Sequence, residues 1–367
     1  MRWLLALGWW APSCAKNPDP TDRCSAGEVC IEAGTGELGF NGDDLGKRDT
    51  RLASPSAVYE HPEGRIVIVD YSNMRVREVT ESGAIQTVVG NGFHAYSEPG
   101  ATPLDTPLEN PVDIGWNPNG QLCVLPQHEG RVICLNDDGV IERYAGTGTI
   151  GDAGDDGPAL DADIGYGGGM VFAEDGTLYV SDSTHSRVRR IQPDGTIDTA
   201  LGTGEAGLGA PGFGPETAIR FPERLAYDEV NRRLIVADAH NHRVLSVDAE
   251  SLAVQLVGGT GEAGFSGDGG SATDAMLNQP MGVAVDDEGG VLIADTRNHV
   301  IRRINSSGII ETIAGTGDAQ ASTERASFDR FSMVGPAGLS WTASGDLLIA
   351  EHWGHRILRA RDLVSDF

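Results

Sequence analysis

Ala314-Gly315-Thr316-Gly317 is the last of six copies of one short sequence, spaced almost evenly along the chain. The five earlier copies begin at Ala33, Val89, Ala145, Leu201 and Gly258. Successive starts therefore differ by 56, 56, 56, 57 and 56 residues. A fixed period of this size indicates one supersecondary unit repeated about an axis. Any residue that recurs with the period is therefore first of all a candidate for architecture.

Each period contains a short apolar run rich in β-branched residues, such as Ile66-Val67-Ile68-Val69. Runs this short, bounded by turn residues, favour strands that are buried on both faces. An acidic residue closes the run in five of the six periods, at Asp70, Asp182, Asp238, Asp295 and Glu351. The second period has Pro126 at this position, so the copies disagree there.

The rest of each period supplies three more strands. One strand lies before the apolar run, a returning strand follows it after a tight turn, and a glycine turn leads to the fourth. Four antiparallel strands per unit are typical of a propeller blade. The sequence thus predicts an all-β, six-bladed β-propeller over residues 27–364. Residues 28–33 carry the fourth-strand sequence but begin no blade, so we expect them to complete the last blade and close the ring.

The repeats resemble NHL repeats. The resemblance is carried by the Gly-Thr-Gly phrase and by the segments 264–273 (GFSGDGGSAT), 280–286 (PMGVAVD) and 293–299 (IADTRNH), and it spans nearly the whole chain. It implies a six-bladed propeller. It does not imply one activity, because NHL proteins include enzymes, RNA binders, sensors and adhesion modules.

The peptide-amidating lyases are similar propellers, and they hold a catalytic zinc ion through histidines just after the first-strand proline. The corresponding positions in this chain are Ser56, Val112, Gly168, Glu223, Met281 and Ala337. None of them is histidine, so the resemblance does not extend to that activity. We therefore expect a protein that is not an enzyme.

The net charge of the chain limits the class of partner that it can bind. The chain has 54 acidic and 27 basic residues, which gives a formal net charge of −27. Proteins that bind nucleic acid need a basic face that displaces counterions from phosphates. The composition therefore argues against a nucleic-acid partner, and an acidic shell is typical of a solubility device.

The N-terminal residues indicate export. Residues 1–13 combine one positive charge, a short apolar stretch and small residues, as a signal peptide does, and the stretch is too short to span a bilayer. Cys14 follows Ala-Pro-Ser and resembles the lipidated cysteine of a bacterial lipoprotein, which would make 14–26 a tether; the alternative is an ordinary secretory signal cut nearby. Residues 365–367 form a short tail. We expect a bacterial cell-envelope protein, lipid-anchored or else periplasmic or extracellular.

Four cysteines remain if Cys14 is lipidated, and they suggest two disulfides. Cys123 and Cys134 lie on neighbouring strands of one predicted hairpin, equally far from its turn, so they can face each other. Cys24 and Cys30 would close a small loop at the N-terminal strand. Two disulfides fit an oxidising compartment.

Two glycine patterns suggest cofactors but fit the architecture better. Four copies of the phrase match the dinucleotide fingerprint Gly-x-Gly-x-x-Gly, yet no helical pattern follows any of them. Acidic glycine loops contain Asp43, Asp155 and Asp268, which are weak calcium candidates without the ligand spacing of an EF-hand. We expect inter-blade loops, with calcium as the one cofactor left open.

Histidine also follows the repeat. His242, His299 and His355 occupy one turn position in three successive blades. Equivalent positions on a propeller spread around a ring, whereas zinc needs three or four ligands that converge on a point. We therefore expect hydrogen-bonded structural histidines.

Positions where the copies disagree are the better candidates for function. The strand order places the crossover loops between blades and the turns between second and third strands on one face, which we call the loop face. The candidate ligand- or partner-binding residues there are Asp113, His128, Tyr166, Glu223, Arg224, His352 and Trp353. Glu223 and Arg224 replace small residues and form either an ion pair or a ligand clamp. Trp353 is the only tryptophan in these turns, and exposed aromatic residues often anchor partners.

These observations favour an exported, non-enzymatic interaction scaffold. It would bind a protein or carbohydrate partner of the cell envelope through the loop face, act as a monomer and reach a membrane only through a lipid anchor. The alternative hypothesis is a hydrolase or lyase at the channel mouth, with Asp113 and Glu223 as acid and base and with or without a divalent cation.

Overall fold

The structure is a computed structural model that describes residues 24–363. The predicted signal peptide, the Cys14 lipidation site and the 365–367 tail lie outside the described residues. The strands are numbered in chain order. The first half comprises β1 (Glu28–Ala33); in blade I β2 (Leu45–Gly46), β3 (Ala57–Glu60), β4 (Ile66–Asp70), β5 (Arg75–Val79) and β6 (Ala84–Val89); in blade II β7 (Pro111–Trp116), β8 (Leu122–Pro126), β9 (Val132–Leu135) and β10 (Ile141–Ala145); and in blade III β11 (Gly157–Pro158), β12 (Gly167–Phe172), β13 (Leu178–Asp182), β14 (Arg187–Ile191) and β15 (Thr196–Leu201).

The second half repeats the same plan. Its strands are, in blade IV, β16 (Pro222–Asp228), β17 (Arg233–Asp238), β18 (Arg243–Asp248) and β19 (Val254–Gly258); in blade V, β20 (Gly270–Ser271), β21 (Gly282–Val285), β22 (Val291–Asp295), β23 (Val300–Ile304) and β24 (Ile309–Ala314); and in blade VI, β25 (Ala326–Ser327), β26 (Pro336–Trp341), β27 (Leu347–Glu351) and β28 (Arg356–Ala360).

The predicted six-bladed propeller is confirmed, including the way in which it closes. Strand β1 pairs antiparallel with β28, with Cys30 opposite Arg359, so the N-terminal strand is the fourth strand of blade VI. This closure joins the two ends of the chain within one sheet. It leaves no blade with an open outer position.

Four blades carry a strand that the sequence did not predict. The two-residue strands β2, β11, β20 and β25 pair with the outer strand of their blade. In blades II and IV loop residues form similar bonds, because Gly100 donates to the carbonyl of Ile141 and Val254 donates to that of Gly212. The outer strand would otherwise present unpaired backbone groups to solvent, so each crossover loop covers an edge.

The apolar core lies between neighbouring blades. Ile235 and Val244 of blade IV, for example, belong to one buried cluster with Ile293 and Ile304 of blade V. The apolar second strands pack on both faces, as their continuous apolar runs predict. The first strands β3, β7, β12, β16, β21 and β26 surround the central channel, so side chains at their ends decide what the channel can hold.

Both predicted disulfides form within residues 24–363. Cys24 is bonded to Cys30 and Cys123 to Cys134. Cys123 and Cys134 are direct cross-strand partners in β8 and β9, as expected from their equal distance to the turn.

Helical structure in the described part of the chain consists of three-residue 3₁₀ turns, at Tyr71–Asn73, Ala159–Asp161, Gly214–Glu216, Ala239–Asn241, Ala272–Asp274 and Thr296–Asn298. No α-helix follows any of the Gly-x-Gly-x-x-Gly copies, which are blade-to-blade loops. No helix within residues 24–363 is both long enough and apolar enough to cross a membrane.

Candidate functional site

The acidic residue that ends the second strand holds the loop face together. In blade IV the carboxylate of Asp238 accepts hydrogen bonds from the backbone N–H of Arg220, from Asn241 and from Arg243 Nε. In four other blades the residue two positions before the first-strand proline position donates the same backbone N–H hydrogen bond. The acceptors are the carboxylates of Asp70, Asp182, Asp295 and Glu351. The five repeated acids are therefore structural.

Blade II has lost this cap. Pro126 stands in place of the acid, and the buried acid–arginine pair is rebuilt with an acid three residues further on, with Glu129 Oε2 2.9 Å from Arg131 Nε. Glu129 also accepts bonds from the backbone N–H and the hydroxyl of Ser97. The residue at the capped position, Glu109, is consequently free to direct its own carboxylate toward the loop face.

The repeated histidines link successive blades, as predicted. Nδ1 of His242 accepts the backbone N–H of Gln279, and Nδ1 of His299 accepts that of Gly335. His355 does the same for Ser54, which joins the last blade to the first. Burial lowers the pKa of each histidine, which keeps Nδ1 available as an acceptor.

The three weak calcium candidates each pair with a buried arginine. Asp43 lies 2.9 Å from Arg77, Asp155 pairs with Arg189, and Asp268 pairs with Arg302. These guanidinium groups are fully buried, so they require a counter-charge. The arginines explain the carboxylates in these loops without a bound cation.

A polar plug closes the channel below the loop face. Arg224 of blade IV extends toward blades I and II, where Nη2 donates to the carbonyls of Ser56 at 2.6 Å and Val112 at 2.9 Å. Its Nη1 lies 3.0 Å from Asp113 Oδ2. The alternative of an ion pair between Glu223 and Arg224 is therefore wrong for the described residues, because Arg224 pairs with Asp113 of another blade.

Further hydrogen bonds hold the carboxylate of Asp113 in the plug. Asp113 Oδ1 accepts the hydroxyl of Tyr59 at 2.7 Å, and Oδ2 accepts the backbone N–H of Met170 at 3.0 Å. Gly169 makes room for the pair, since a Cβ there would lie 2.9 Å from Arg224 Cα. With exposures of 1% and 6%, Asp113 and Arg224 are enclosed, so neither meets a macromolecular partner directly and Asp113 has no free role as a base.

Bulges in the first strands place these residues. The pairing of β7 with β8 shifts register between Pro111 and Asp113, and that of β16 with β17 shifts between Pro222 and Leu225. A bulge breaks the strict alternation of side chains along a strand and re-aims them. Sequence spacing alone therefore does not show where Asp113 and Arg224 point.

Glu223 lies above the plug in a different environment. Burial raises its pKa to about 7, and the attraction of Arg224 offsets only part of that cost. Its carboxylate accepts no hydrogen bond from residues 24–363, in contrast to Asp113. Across the mouth, burial lowers the pKa of His352 to about 4, so this imidazole is neutral at physiological pH. The mouth therefore holds a carboxyl group that gains and loses a proton near neutrality.

The aromatic candidates on the loop face are exposed. Trp353 is 40% exposed, meets His299 edge to face and lies 5.9 Å from Arg297. Tyr166 is 38% exposed and packs against His128 with ring centroids 4.6 Å apart. The two groups belong to different blades, so they are separate contact points rather than one pocket.

Sequence reasoning missed an apolar rim on the loop face. Its members lie six residues after the first glycine of the phrase and are exposed large side chains: Phe40, Tyr96, Leu208 and Phe265. Phe40 lies under Arg75 at 3.9 Å and Phe265 near Arg302 at 5.2 Å. The constant offset was a usable signal, because four of the six copies carry a large apolar side chain at this position, whereas the other two carry Asp152 and Ala321.

A cavity at the opposite end of the channel was also not predicted. It has a volume of about 320 Å³ and is lined by the ends of all six first strands. Tyr59, Trp116, Phe172, Tyr227 and Trp341 supply aromatic walls. Tyr59 lines this cavity and also donates its hydroxyl to Asp113, so the plug borders the cavity.

Comparisons with known proteins agree with this architecture. The family model of the Teneurin NHL domain matches residues 150–348. NHL repeat-containing protein 2 of Bos taurus is 26% identical over 304 residues, which cover 72% of this chain and 41% of that protein. Protein SUPPRESSOR OF QUENCHING 1, chloroplastic, of Arabidopsis thaliana is 37% identical over 285 residues, or 74% of this chain and 26% of its own. The chain thus spans less than half the length of these relatives.

A solved structure shows the same fold. An auxiliary nutrient binding protein from Bacteroides thetaiotaomicron superimposes with a TM-score of 0.66, at 15% identity, over 90% of this chain and 75% of its own. Identity this low supports the shared propeller and nothing about the site.

Proposed function

Because this chain belongs to the NHL-repeat family of β-propellers, which the Teneurin NHL domain represents, we propose that it is an exported interaction scaffold without enzymatic activity. Its partner is a protein or carbohydrate of the cell envelope, and the loop face is the binding surface. Export is supported by the two disulfides, which persist in oxidising compartments. Lipidation at Cys14 stays a prediction, since that residue lies outside the described range.

The observation that carries this proposal is the apolar rim. Phe40, Tyr96, Leu208 and Phe265 stand at equivalent points of the repeat on one face, and Trp353 and Tyr166 are exposed on the same face. Exposed aromatic and apolar side chains of this kind mark interaction sites when they are grouped on one surface. Contacts spread around a ring favour a protein surface over a single sugar unit.

The loop face is tested by comparing it with the opposite face. Val230 is an exposed apolar residue in the turn between β16 and β17, on the far side of the propeller. We expect a photo-cross-linker at Phe265 to capture one dominant envelope component and one at Val230 to capture none. With the cross-linker at Phe265, the double variant Phe40→Ser/Leu208→Ser should reduce that capture at least tenfold, and Val230→Ser should leave it unchanged. Equal effects from both faces would refute the assignment.

A second candidate function rests on Glu223. A buried carboxyl group with a pKa of about 7 suits a general acid or base, which works best when its pKa lies near the working pH. Asp113 does not serve as the second catalytic group of an acid–base pair with Glu223, because its carboxylate is held by Arg224 and Tyr59. This hypothesis predicts hydrolysis or elimination with an apparent pKa near 7 that Glu223→Gln abolishes. Turnover that survives this substitution would exclude it.

A further inference from the structure

Three metal-binding side chains from distant parts of the sequence meet at the edge of the loop face. They are His94 in the crossover from blade I to blade II, Glu109 just before β7, and His128 in the turn after β8. Their ligand atoms all lie within 4.8 Å of one another. Glu109 Oε1 is 3.0 Å from His94 Nε2 and 3.7 Å from His128 Nδ1. Among the described residues, no other group of three histidine, cysteine, aspartate or glutamate side chains meets this criterion.

The geometry points to a divalent metal site of the zinc class at His94, Glu109 and His128. Zinc binds imidazole nitrogen and carboxylate oxygen at about 2.0–2.2 Å in a tetrahedral arrangement, which places neighbouring ligand atoms about 3.4 Å apart. The two distances to Glu109 bracket that value. His94 is half exposed, so its ring can rotate to complete the triangle.

The repeat pattern supports this assignment independently of the distances. His128 stands at the turn position of Ser72, Thr184, His240, Arg297 and Trp353, and Glu109 stands where the other blades have Ala53, Gly165, Arg220, Asn278 and Val334. His94 corresponds to Leu38, Ile150, Ala206, Ala263 and Ala319. His94 thus departs from an otherwise apolar position, whereas the positions of Glu109 and His128 vary from blade to blade, and folding brings together three side chains that the repeat does not prescribe.

The surroundings also suit a metal. Asn110 Oδ1 lies 2.6 Å from His94 Nε2 and hydrogen-bonds to it, a bond that a metal ion on this nitrogen would replace. The ring of Tyr166 packs against His128 and limits its rotation. The loss of the acidic cap at Pro126 leaves the loop around Glu109 without the carboxylate that other blades place there.

Two histidines and one glutamate leave coordination positions open. Zinc sites with three protein ligands carry water or a ligand atom in the fourth position. Tyr166 packs against His128 at this site on the loop face. The site therefore takes a divalent cation and, through it, an oxygen or nitrogen donor from whatever lies on that face. This inference does not depend on the identity of a partner.

The test uses the full chain without a histidine tag. Isothermal titration with Zn²⁺ should show one site per chain, and Co²⁺ should give the visible absorption of a four- or five-coordinate ion. His94→Ala, Glu109→Gln and His128→Ala should each weaken Zn²⁺ binding by more than the roughly 10- to 100-fold that outer-shell partners contribute. Circular dichroism and thermal unfolding establish that these variants fold.

His240→Ala is the matched control, because His240 occupies the turn position of His128 in blade IV but stacks on Phe221. It should leave Zn²⁺ affinity and the Co²⁺ spectrum unchanged. The site assignment is overturned if the wild-type chain binds no Zn²⁺, or if binding and the Co²⁺ spectrum persist in Glu109→Gln and His128→Ala.

Discussion

Blade IV and blade II have the same four strands but hold the turn after their second strand by different means. In blade IV Asp238 binds a backbone N–H, Asn241 and Arg243, and His242 links onward to the next blade. In blade II this set is absent, and a disulfide between the second and third strands together with the Glu129–Arg131 pair replaces it. In blade IV the repeated residues hold this turn. In blade II other residues hold it, so the positions of the repeated residues can carry different side chains.

This difference between the two blades explains where the candidate functional side chains lie. Blade II supplies Asp113 to the plug and Glu109 and His128 to the proposed metal site, whereas blade IV departs from the repeat mainly at Glu223 and Arg224. A turn that no longer needs a capping acid can accept other side chains. The disulfide between Cys123 and Cys134 ties the two strands that flank the altered turn.

The largest expected effect comes from removing the cap of the regular blade. Asp238→Ala should lower the free energy of unfolding by about 3–5 kcal/mol, since it leaves the buried guanidinium of Arg243 without its counter-charge. The matched change Pro126→Ala, at the same position in blade II, should cost about 1 kcal/mol, the usual size for a point substitution. Urea unfolding of both variants measures the contrast. Similar losses would show that the blades are not held differently.

Removing the cross-strand disulfide should weaken blade II selectively. The double variant Cys123→Ala/Cys134→Ala releases a bridge that spans 11 residues and should cost about 2–4 kcal/mol. Native-state hydrogen exchange should show faster exchange in residues 111–145, with residues 222–258 unchanged. Uniform loss of protection in both blades would contradict the idea that the disulfide replaces the missing cap.

In blade IV, we expect the ionised carboxylate of Glu223 to lower the free energy of unfolding. Its pKa of about 7 in the folded state exceeds the ordinary 4.5, so folding favours the protonated form. Wild-type stability should therefore fall as the pH rises from about 4.5 through 7, and Glu223→Gln should be more stable by up to about 3 kcal/mol at pH 8 and equal at pH 4. Denaturant unfolding at both pH values measures this.

Glu32 provides the control of opposite sign. Burial favours its neutral form, but Lys47 and Arg359 outweigh burial and lower its pKa. Glu32→Gln should accordingly destabilise the protein at pH 8. If Glu223→Gln also destabilises it there, Glu223 is a structural ion rather than a strained group of the channel mouth.

Much of the propeller architecture could be predicted from patterns in the amino-acid sequence. The 56-residue period, the apolar runs and the N-terminal fourth-strand sequence predicted the blade number and the closure by β1, and equal distances from one turn predicted the Cys123–Cys134 pair. These features depend on residues near in sequence or on a regular repeat. The short fifth strands were not predicted, since two-residue pairs have no periodicity to detect.

The candidate site could be predicted from the sequence only in part. The repeat-breaking positions Asp113, Glu223, Arg224 and His128 were identified, but their partners were not. Glu223 and Arg224 are adjacent in sequence and do not form the pair, because a bulge and strand alternation direct them differently. Glu109 escaped notice altogether, since its role depends on a cap that is missing 17 residues later in the chain.

The sequence by itself determined the ring: its symmetry, its strand order, its disulfides and the structural role of most histidines. The tertiary structure alone decided what lies at the centre and at the edge of the loop face. Arg224 meets Asp113 across the channel, and His94 meets Glu109 and His128 between a crossover and a turn. The physical reason is that a repeat encodes contacts within and between equivalent blades, whereas contacts between unlike positions arise only when the closed ring sets their distances.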